Sequence, residues 1–164
     1  MADLDSNPKP IQSIYIWNRE NKLIVNRRYQ RKLVWTLKEK QKLIESVLKQ
    51  YPIPAILIAD RNEYPGSYEI IDGLQRLQAI MSFIECSFPT EDGKFFNIQH
   101  FVTAKTYMDN GTFNPSDDYS ENSQLISSEE VGRILSYNLA LSVMGTGLLR
   151  GDASYPSLSQ KFKR

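Results

Sequence analysis

The run Ile70, Ile71, Asp72, Gly73, Leu74, Gln75, Arg76 carries the densest chemistry in the chain. An apolar strand there ends on a carboxylate, a glycine allows a sharp turn, and a helix opens with an amide and a guanidinium in its first turn. The first amides of a helix have no acceptor within it and stand at the positive end of its dipole, so a phosphate can sit there with Arg76 as a bidentate donor. Asp72 would face the same spot. A carboxylate beside a phosphate is repelled unless a cation lies between them or it handles a water or hydroxyl, which makes Asp72 a candidate metal ligand or water-orienting group. The same run also reads as plain structure, with Asp72 capping the helix and Arg76 pairing with it at the surface.

A second constellation is Arg27, Arg28, Tyr29, Gln30 and Arg31, with Val34 and Trp35. Such a mixture can contact phosphate and stack a base, or it can be a connection anchored to the core by Tyr29 and Trp35. Cys86 is the only cysteine and His100 the only histidine, which excludes a cysteine-rich zinc site, a CxxC pair and a two-histidine metal centre. A triad would have to use both, but His100 lies in the aromatic stretch Phe95 to Phe101 and Cys86 ends an amphipathic helix, so both are expected to be structural. The acidic loop with Asp109, Asp117, Asp118 and Glu121 lacks EF-hand spacing and reads as solvated.

These residues need elements to hold them. Ile11, Ile14 and Tyr15 sit at helical spacing in a segment running to about Glu20, and Leu23, Ile24 and Val25 make a short buried strand. Arg27 to Trp35 follows as a connection. Thr36 with Glu39 three residues on is a capping box, and Leu37, Gln41, Ile44, Val47, Leu48 and Tyr51 continue that helix until Pro52. Ala55 to Ala59 and Tyr68 to Ile71 are β-prone runs separated by the turn residues Asn62, Pro65 and Gly66, which predicts a hairpin or adjacent pair. Gly73 marks the switch to helical period, with Leu74, Leu77, Ile80, Met81 and Ile84 on one stripe. Phe88 to Phe101 is irregular around a Glu91, Asp92, Gly93 turn, and Asp109 to Ser123 is a loop. Ser128 with Glu129 and Glu130 starts a brief helix, and Ile134 to Val143 alternates as a strand does.

Length and composition bound what this arrangement can be. With 164 residues, 18.9 kDa, 41% hydrophobic and 24% charged residues, the chain supports one globular core and is not a disordered, collagenous or disulfide-scaffold sequence. Residues 1–10 are expected to be a disordered lead, 11–144 the folded domain and 145–164 a loose tail. Twenty Lys and Arg against nineteen Asp and Glu leave a formal charge of +1, so a nucleic-acid or membrane role must come from local patches. Arg19 to Lys49 holds ten bases and three acids, whereas Asp60 to Glu130 holds four bases and thirteen acids. The two regions either solvate or attract each other, or the basic one lines an anion-binding cleft. No apolar run approaches the roughly 18 to 20 residues that span a bilayer, and MADLDSNPKP lacks the basic start and apolar stretch of a signal peptide. A cytoplasmic protein with no membrane partner is the expectation.

Three ordered blocks, NRRYQRKLVW, KEKQKLIESVLKQYPIPAILIA and YEIIDGLQRLQAI, make the chain resemble the bacterial family typified by the amino-terminal part of the GmrS and GmrD restriction proteins. The resemblance spans roughly Ile11 to Met144. It implies a mixed α/β fold of the ParB and sulfiredoxin-like type, a small mixed sheet with packed helices, and a signature Asp, Gly, Gln, Gln, Arg tied to nucleotide binding and hydrolysis in defence against phage DNA. That signature falls on Asp72, Gly73, Gln75 and Arg76, and the upstream family residues fall on Tyr29, Gln30, Arg31 and Trp35. Leu74 stands where Gln is commoner, which favours binding without fast turnover. Family members usually continue into a helical region and often an HNH nuclease, so a fragment or truncated product is the expectation here.

The implied activity is that of a nucleotide-binding domain hydrolysing NTP with Mg, the regulatory or motor part of a DNA-targeting system. In that scheme amides from Gly73 onward and Arg76 hold phosphate, Arg31 adds charge, Gln75 positions a water or phosphate oxygen, and Asp72 binds the cation or orients water. The implied partners are a nucleotide, DNA, and a nuclease domain or subunit, with no nuclease activity in this chain alone. The alternative is a non-catalytic DNA- or partner-binding module using the basic Arg27 to Lys49 segment. A structural remnant with no ligand is the third reading.

Overall fold

The computed structural model describes residues 4–25, 35–61 and 63–144. In chain order the elements are β1 (Leu4–Ser6), β2 (Lys9–Pro10), α1 (Ile11–Arg19), β3 (Leu23–Val25), α2 (Leu37–Leu48), β4 (Ile56–Asp60) and β5 (Tyr68–Asp72). They continue with α3 (Leu74–Ile84), a 3-10 turn (Ile98–His100), α4 (Val102–Asp109), α5 (Ser128–Leu135), β6 (Asn138–Leu139) and β7 (Leu141–Met144). The fold class is mixed α+β, as expected. Five strands form a mixed sheet in the order β1-β7-β4-β5-β3, and β2 pairs with β6 in a second, two-stranded sheet.

The β4–β5 hairpin forms in antiparallel register, with Ile58 opposite Ile70 and Asp60 opposite Tyr68. On its flanks β3 and β7 run parallel to their neighbours, placing Val25 beside Ile70 and Val143 beside Ile58. Successive side chains of a strand point to opposite faces, so Val25, Ile58 and Ile70 share one face. That face merges with Ile14 and Tyr15 of α1, Ile44 and Val47 of α2, and Leu77, Ile80 and Ile84 of α3 in one core. On the other face of the same sheet Ile24 and Ala59 flank Glu69, whose residue is fully buried.

Helix boundaries follow local chemistry. The Thr36 capping box opens α2, with Thr36 Oγ1 accepting the Glu39 N–H at 3.2 Å. It ends at Leu48 because Gln50 takes φ 60°, so Tyr51 leaves the helical stripe and is 55% exposed. A second capping box, Ser127 with Glu130, opens α5. Beyond α3, the Tyr15 hydroxyl and the Arg19 guanidinium both donate to Glu85 Oε2, from Tyr15 Oη at 2.7 Å and from Arg19 Nε at 2.9 Å. The Arg19 guanidinium also lies over the rings of Tyr107 and Phe113, so one ionic node joins α1, the end of α3 and α4.

The structure differs from the sequence reading in four places. Residues 4–6 and 9–10, placed in a disordered lead, are β1 and β2, paired with β7 and β6 near the other end of the described chain. Partners that distant leave no local pattern, and Pro10 is tolerated at the margin of a two-stranded pair. Residues 102–108, unassigned from sequence, form α4 together with Asp109, which the sequence places at the start of a loop. The alternating run from Ile134 to Val143 is divided, because α5 continues to Leu135 and the strand residues split between β6 and β7. His100 is exposed instead of lodged among the aromatics, since Phe96, Ile98 and Phe101 take the inward positions of that stretch. The expected loose tail, 145–164, lies outside the described residues.

Candidate functional site

The turn between β5 and α3 is built from both sides. Gly73 has φ 102° and ψ 13°, a left-handed conformation that costs a side-chain-bearing residue free energy. A Cβ there would lie 2.5 Å from Ile56 Cδ1, 3.3 Å from Ile56 Cα and 3.2 Å from Arg76 Nη2. Glycine is therefore required twice, by its dihedral angles and by the approach of β4. Just before it, Leu57 lies opposite Asp72 while Ile58 lies opposite Ile70, so Ile71 is an extra residue in β5. Such a bulge bends a strand and re-aims the side chains after it, here Asp72.

Among the described residues no side chain caps α3, and Leu77 N–H bonds back to Gly73 O at 3.0 Å. The amides ahead of Leu77 thus have no acceptor within the helix and stand at its positive end. The Asp72 side chain is 75% exposed and the Arg76 side chain 18%, with Asp72 Oδ2 to Arg76 Nη2 at 3.8 Å. Arg76 Nη2 donates to Ala55 O at 2.9 Å. Its Nε is buried and has no hydrogen-bond partner among the described residues. The guanidinium is thus held to one side of the turn with a donor left over. Asp72 does not cap the helix, and its pairing with Arg76 is loose.

Two members of the signature take roles that the sequence did not disclose. Leu74 is 3% exposed and belongs to the core, so the position where the resemblance led to an expectation of Gln points inward here. Gln75 is half-buried, and its Oε1 accepts the backbone N–H of Trp35 at 2.9 Å. Val25, paired with Ile70, and Trp35, bonded to Gln75, both lie beside the turn; between them are residues 26–34, which carry Tyr29, Gln30 and Arg31 and lie outside the described residues. Of the upstream residues, the structure brings Trp35 to the signature. The Ala55 carbonyl, the Ile56 wall and the bulge at Ile71 had no counterpart in the sequence reading, because each depends on where β4 lies beside β5.

Other candidates fall away from this turn. Cys86 is fully buried and donates its S–H to Phe96 O at 3.4 Å, and burial pushes the thiol up to about 12 despite an opposing hydrogen bond with Tyr119. A thiol held protonated is no nucleophile near neutral pH. Asp109, Asp117, Asp118 and Glu121 are exposed. Among the described residues, no group of three His, Cys, Asp or Glu is placed to hold a metal ion. A cavity of about 430 Å³ between α2, α5 and the Thr90–Lys94 turn contains none of the signature residues. Four of its lining charges are engaged in the pairs Lys49–Glu45 at 2.7 Å and Lys94–Asp92 at 3.7 Å. No helix among the described residues is long and apolar enough to cross a membrane.

Fold and turn together define a mixed α+β domain with a glycine-turned helix start flanked by a carboxylate and an arginine. The chain belongs to the family of the GmrSD restriction endonuclease N-terminal domain, whose family model matches residues 11–141. Membership assigns it at the family level to a restriction-type, DNA-targeting system. No curated protein and no solved structure matches the chain.

Proposed function

We propose that this domain binds a nucleoside triphosphate at the β5–α3 turn and hydrolyses it with Mg, as the nucleotide-responsive part of an anti-phage, DNA-targeting restriction system in the cytoplasm. The observation that carries the reading is the start of α3 at Gly73, where no side chain among the described residues caps the helix or bonds the buried Nε of Arg76. Backbone amides and a guanidinium fixed before the ligand arrives stabilise phosphate charge without reorganising. The ParB and sulfiredoxin-like topology and a separate nuclease domain or subunit belong to the same reading.

The residues fit a metal carried in on the phosphates better than a resident centre, because among the described residues Asp72 is the single exposed carboxylate at the turn. Magnesium commonly binds through one or two carboxylates, substrate phosphates and water. When bound it supplies charge neutralisation, and Asp72 offers it an oxygen or orients the attacking water. Arg76 and the first-turn amides hold the phosphates. Tyr29, Gln30 and Arg31 are assigned the remaining nucleotide contacts by family resemblance. Gln75, with its acceptor given to Trp35, is better suited to holding the site together than to orienting water.

The test is a thermal-shift panel of ATP, GTP, CTP and UTP with and without magnesium, because a ligand that binds only the folded state raises the melting temperature by mass action. A magnesium-dependent rise with at least one nucleotide is the expected outcome. No shift with any of them, confirmed by calorimetry, would reject the reading. The DNA-binding alternative has its own observation, since Lys38 and Lys42 are exposed one turn apart on α2 and make no ion pair among the described residues. Backbone binding through such lysines would weaken steeply from low to moderate salt, whereas binding in a pocket would change less.

A further inference from the structure

The cavity of about 430 Å³ between α2, α5 and the Thr90–Lys94 turn joins an apolar pair, Leu48 and Ile126, to a charged lining. All three cations of that lining are held by carboxylates: Lys49 by Glu45 at 2.7 Å, Lys94 by Asp92 at 3.7 Å and Arg133 by Glu129 at 2.6 Å. Glu129 neutralises Arg133 from outside the lining, so Glu91 and Glu130 are carboxylates in excess within it. The cleft presents a negative rim around an apolar floor. Its complement stands on the same helix. Residues four and seven apart share a helix face, so Leu37, Gln41 and Leu48 form one stripe of α2, with Lys38 and Lys42 beside it. Leu37 is 52% exposed, an apolar side chain in the first turn of α2, and Lys38 and Lys42 are exposed as well. Apolar knob and positive charge thus stand at one end of α2, and apolar floor and negative charge at the other. A surface that carries both halves of a contact is self-complementary, which a two-fold axis satisfies.

We propose that two copies of this chain pair through α2 in antiparallel alignment, each setting Leu37 on Leu48 and Ile126 of the other and Lys38 and Lys42 against Glu91 and Glu130. Matching Leu37 to Leu48 of the second copy in both directions centres the axis between Lys42 and Leu43. Each copy then supplies both contacts, so the interface closes at two chains and does not propagate. Removal of apolar surface from water drives the association. The charges select the antiparallel alignment over the parallel one, in which lysines would meet lysines. The cleft contains no residue of the signature turn, so this inference stands or falls apart from the nucleotide reading.

Sedimentation equilibrium on the full chain, over a concentration series at low and moderate salt, tests this. Wild type is expected to dimerise reversibly, and more weakly as salt rises. Two variants each reverse one side of the contact. One is Lys38→Glu/Lys42→Glu; the other is Glu91→Lys/Glu130→Gln, in which glutamine keeps the capping hydrogen bond that Glu130 accepts from Ser127 N–H. Either variant alone should self-associate about tenfold more weakly or worse, because its homodimer repeats a like-charge contact twice. An equimolar mixture of the two should form a heterodimer at close to wild-type strength, since both of its contacts again join opposite charges. Leu37→Ala should weaken the dimer and leave the melting temperature of the dilute monomer unchanged. A wild type that stays monomeric at its highest soluble concentration, a dimer indifferent to both reversals, or reversed variants that do not recombine would overturn the proposal. A monomer that binds a lysine-rich peptide through Glu91 and Glu130 would overturn it as well, and give the cleft to a different protein.

Discussion

Gly73 is the residue on which the turn depends most directly. Gly73→Ala puts a methyl 2.5 Å from Ile56 Cδ1 at a φ of 102°, and strain and overlap together should cost about 2–4 kcal/mol. Ile56→Val removes Cδ1 and not the dihedral strain, so the double variant should be more stable than the sum of the two single losses. Urea denaturation of the four chains reads this directly, and a fully additive pair would show that Ile56 does not press on the turn. Arg76 and Asp72 separate by what they lose. Because Ala55 is exposed, water can replace the guanidinium there, so Arg76→Ala should fold while losing about 1.5–3 kcal/mol of phosphate binding, tenfold to over a hundredfold. Asp72→Ala removes a charge that repels phosphate, so affinity should hold or rise while hydrolysis falls; lower affinity with unchanged turnover would make Asp72 purely structural. The run from Ile70 to Arg76 was legible because strand, turn and helix signals are local to it. The Ala55 bond of Arg76, the inward Leu74 and the Gln75 contact to Trp35 were not, since each is set by a segment remote in sequence.

Between elements, legibility follows the same rule. Capping residues and apolar stripes announced α2 and α3, and the pair of β-prone runs announced the hairpin. α4 was silent: Phe101 precedes it without a side-chain cap, and Ala104 alone among its residues is buried, so no stripe forms. The node of Tyr15, Arg19 and Glu85 was equally invisible, although it ties three elements. The side chains of Arg19 and Glu85 are only 10% and 15% exposed, so Glu85→Ala, which strands a buried guanidinium, should cost about 3 kcal/mol. The node also sets a pH limit. Burial first, and then the Glu85 carboxylate, raise Tyr15 well above its ordinary value of 10.0. The folded chain therefore holds a proton that the unfolded chain releases above pH 10, so this contribution is complete below pH 10 and is lost as pH rises beyond it. Melting temperature should fall from pH 9.5 to 11, and less steeply in Tyr15→Phe. Identical slopes would remove Tyr15 from the alkaline transition.

Across the whole molecule the charge separation places ten bases against three acids between Arg19 and Lys49, and four against thirteen between Asp60 and Glu130. The signature turn belongs to the acidic stretch, while Trp35 and α2 belong to the basic one, so the Gln75 contact with Trp35 brings the two regions together at the turn. A site drawing on both regions suits a phosphate ligand with a metal on it. It does not suit DNA cleavage, which needs an activated water and a stabilised leaving oxygen, supplied in HNH enzymes by a histidine beside a metal with further ligands. The chain's one histidine, His100, is exposed on a 3-10 turn, and the described residues hold no three-ligand group around it or around Asp72. The 164-residue chain is therefore expected to leave supercoiled plasmid intact with magnesium, manganese, zinc or calcium, and cutting should require a separate nuclease domain or subunit. Adding such a partner with NTP should restore cleavage, and Arg76→Ala should abolish the nucleotide dependence of that restored activity. Nicking by the purified chain that disappears in Asp72→Ala would instead move the chemistry of this turn from the phosphoanhydride to the DNA backbone.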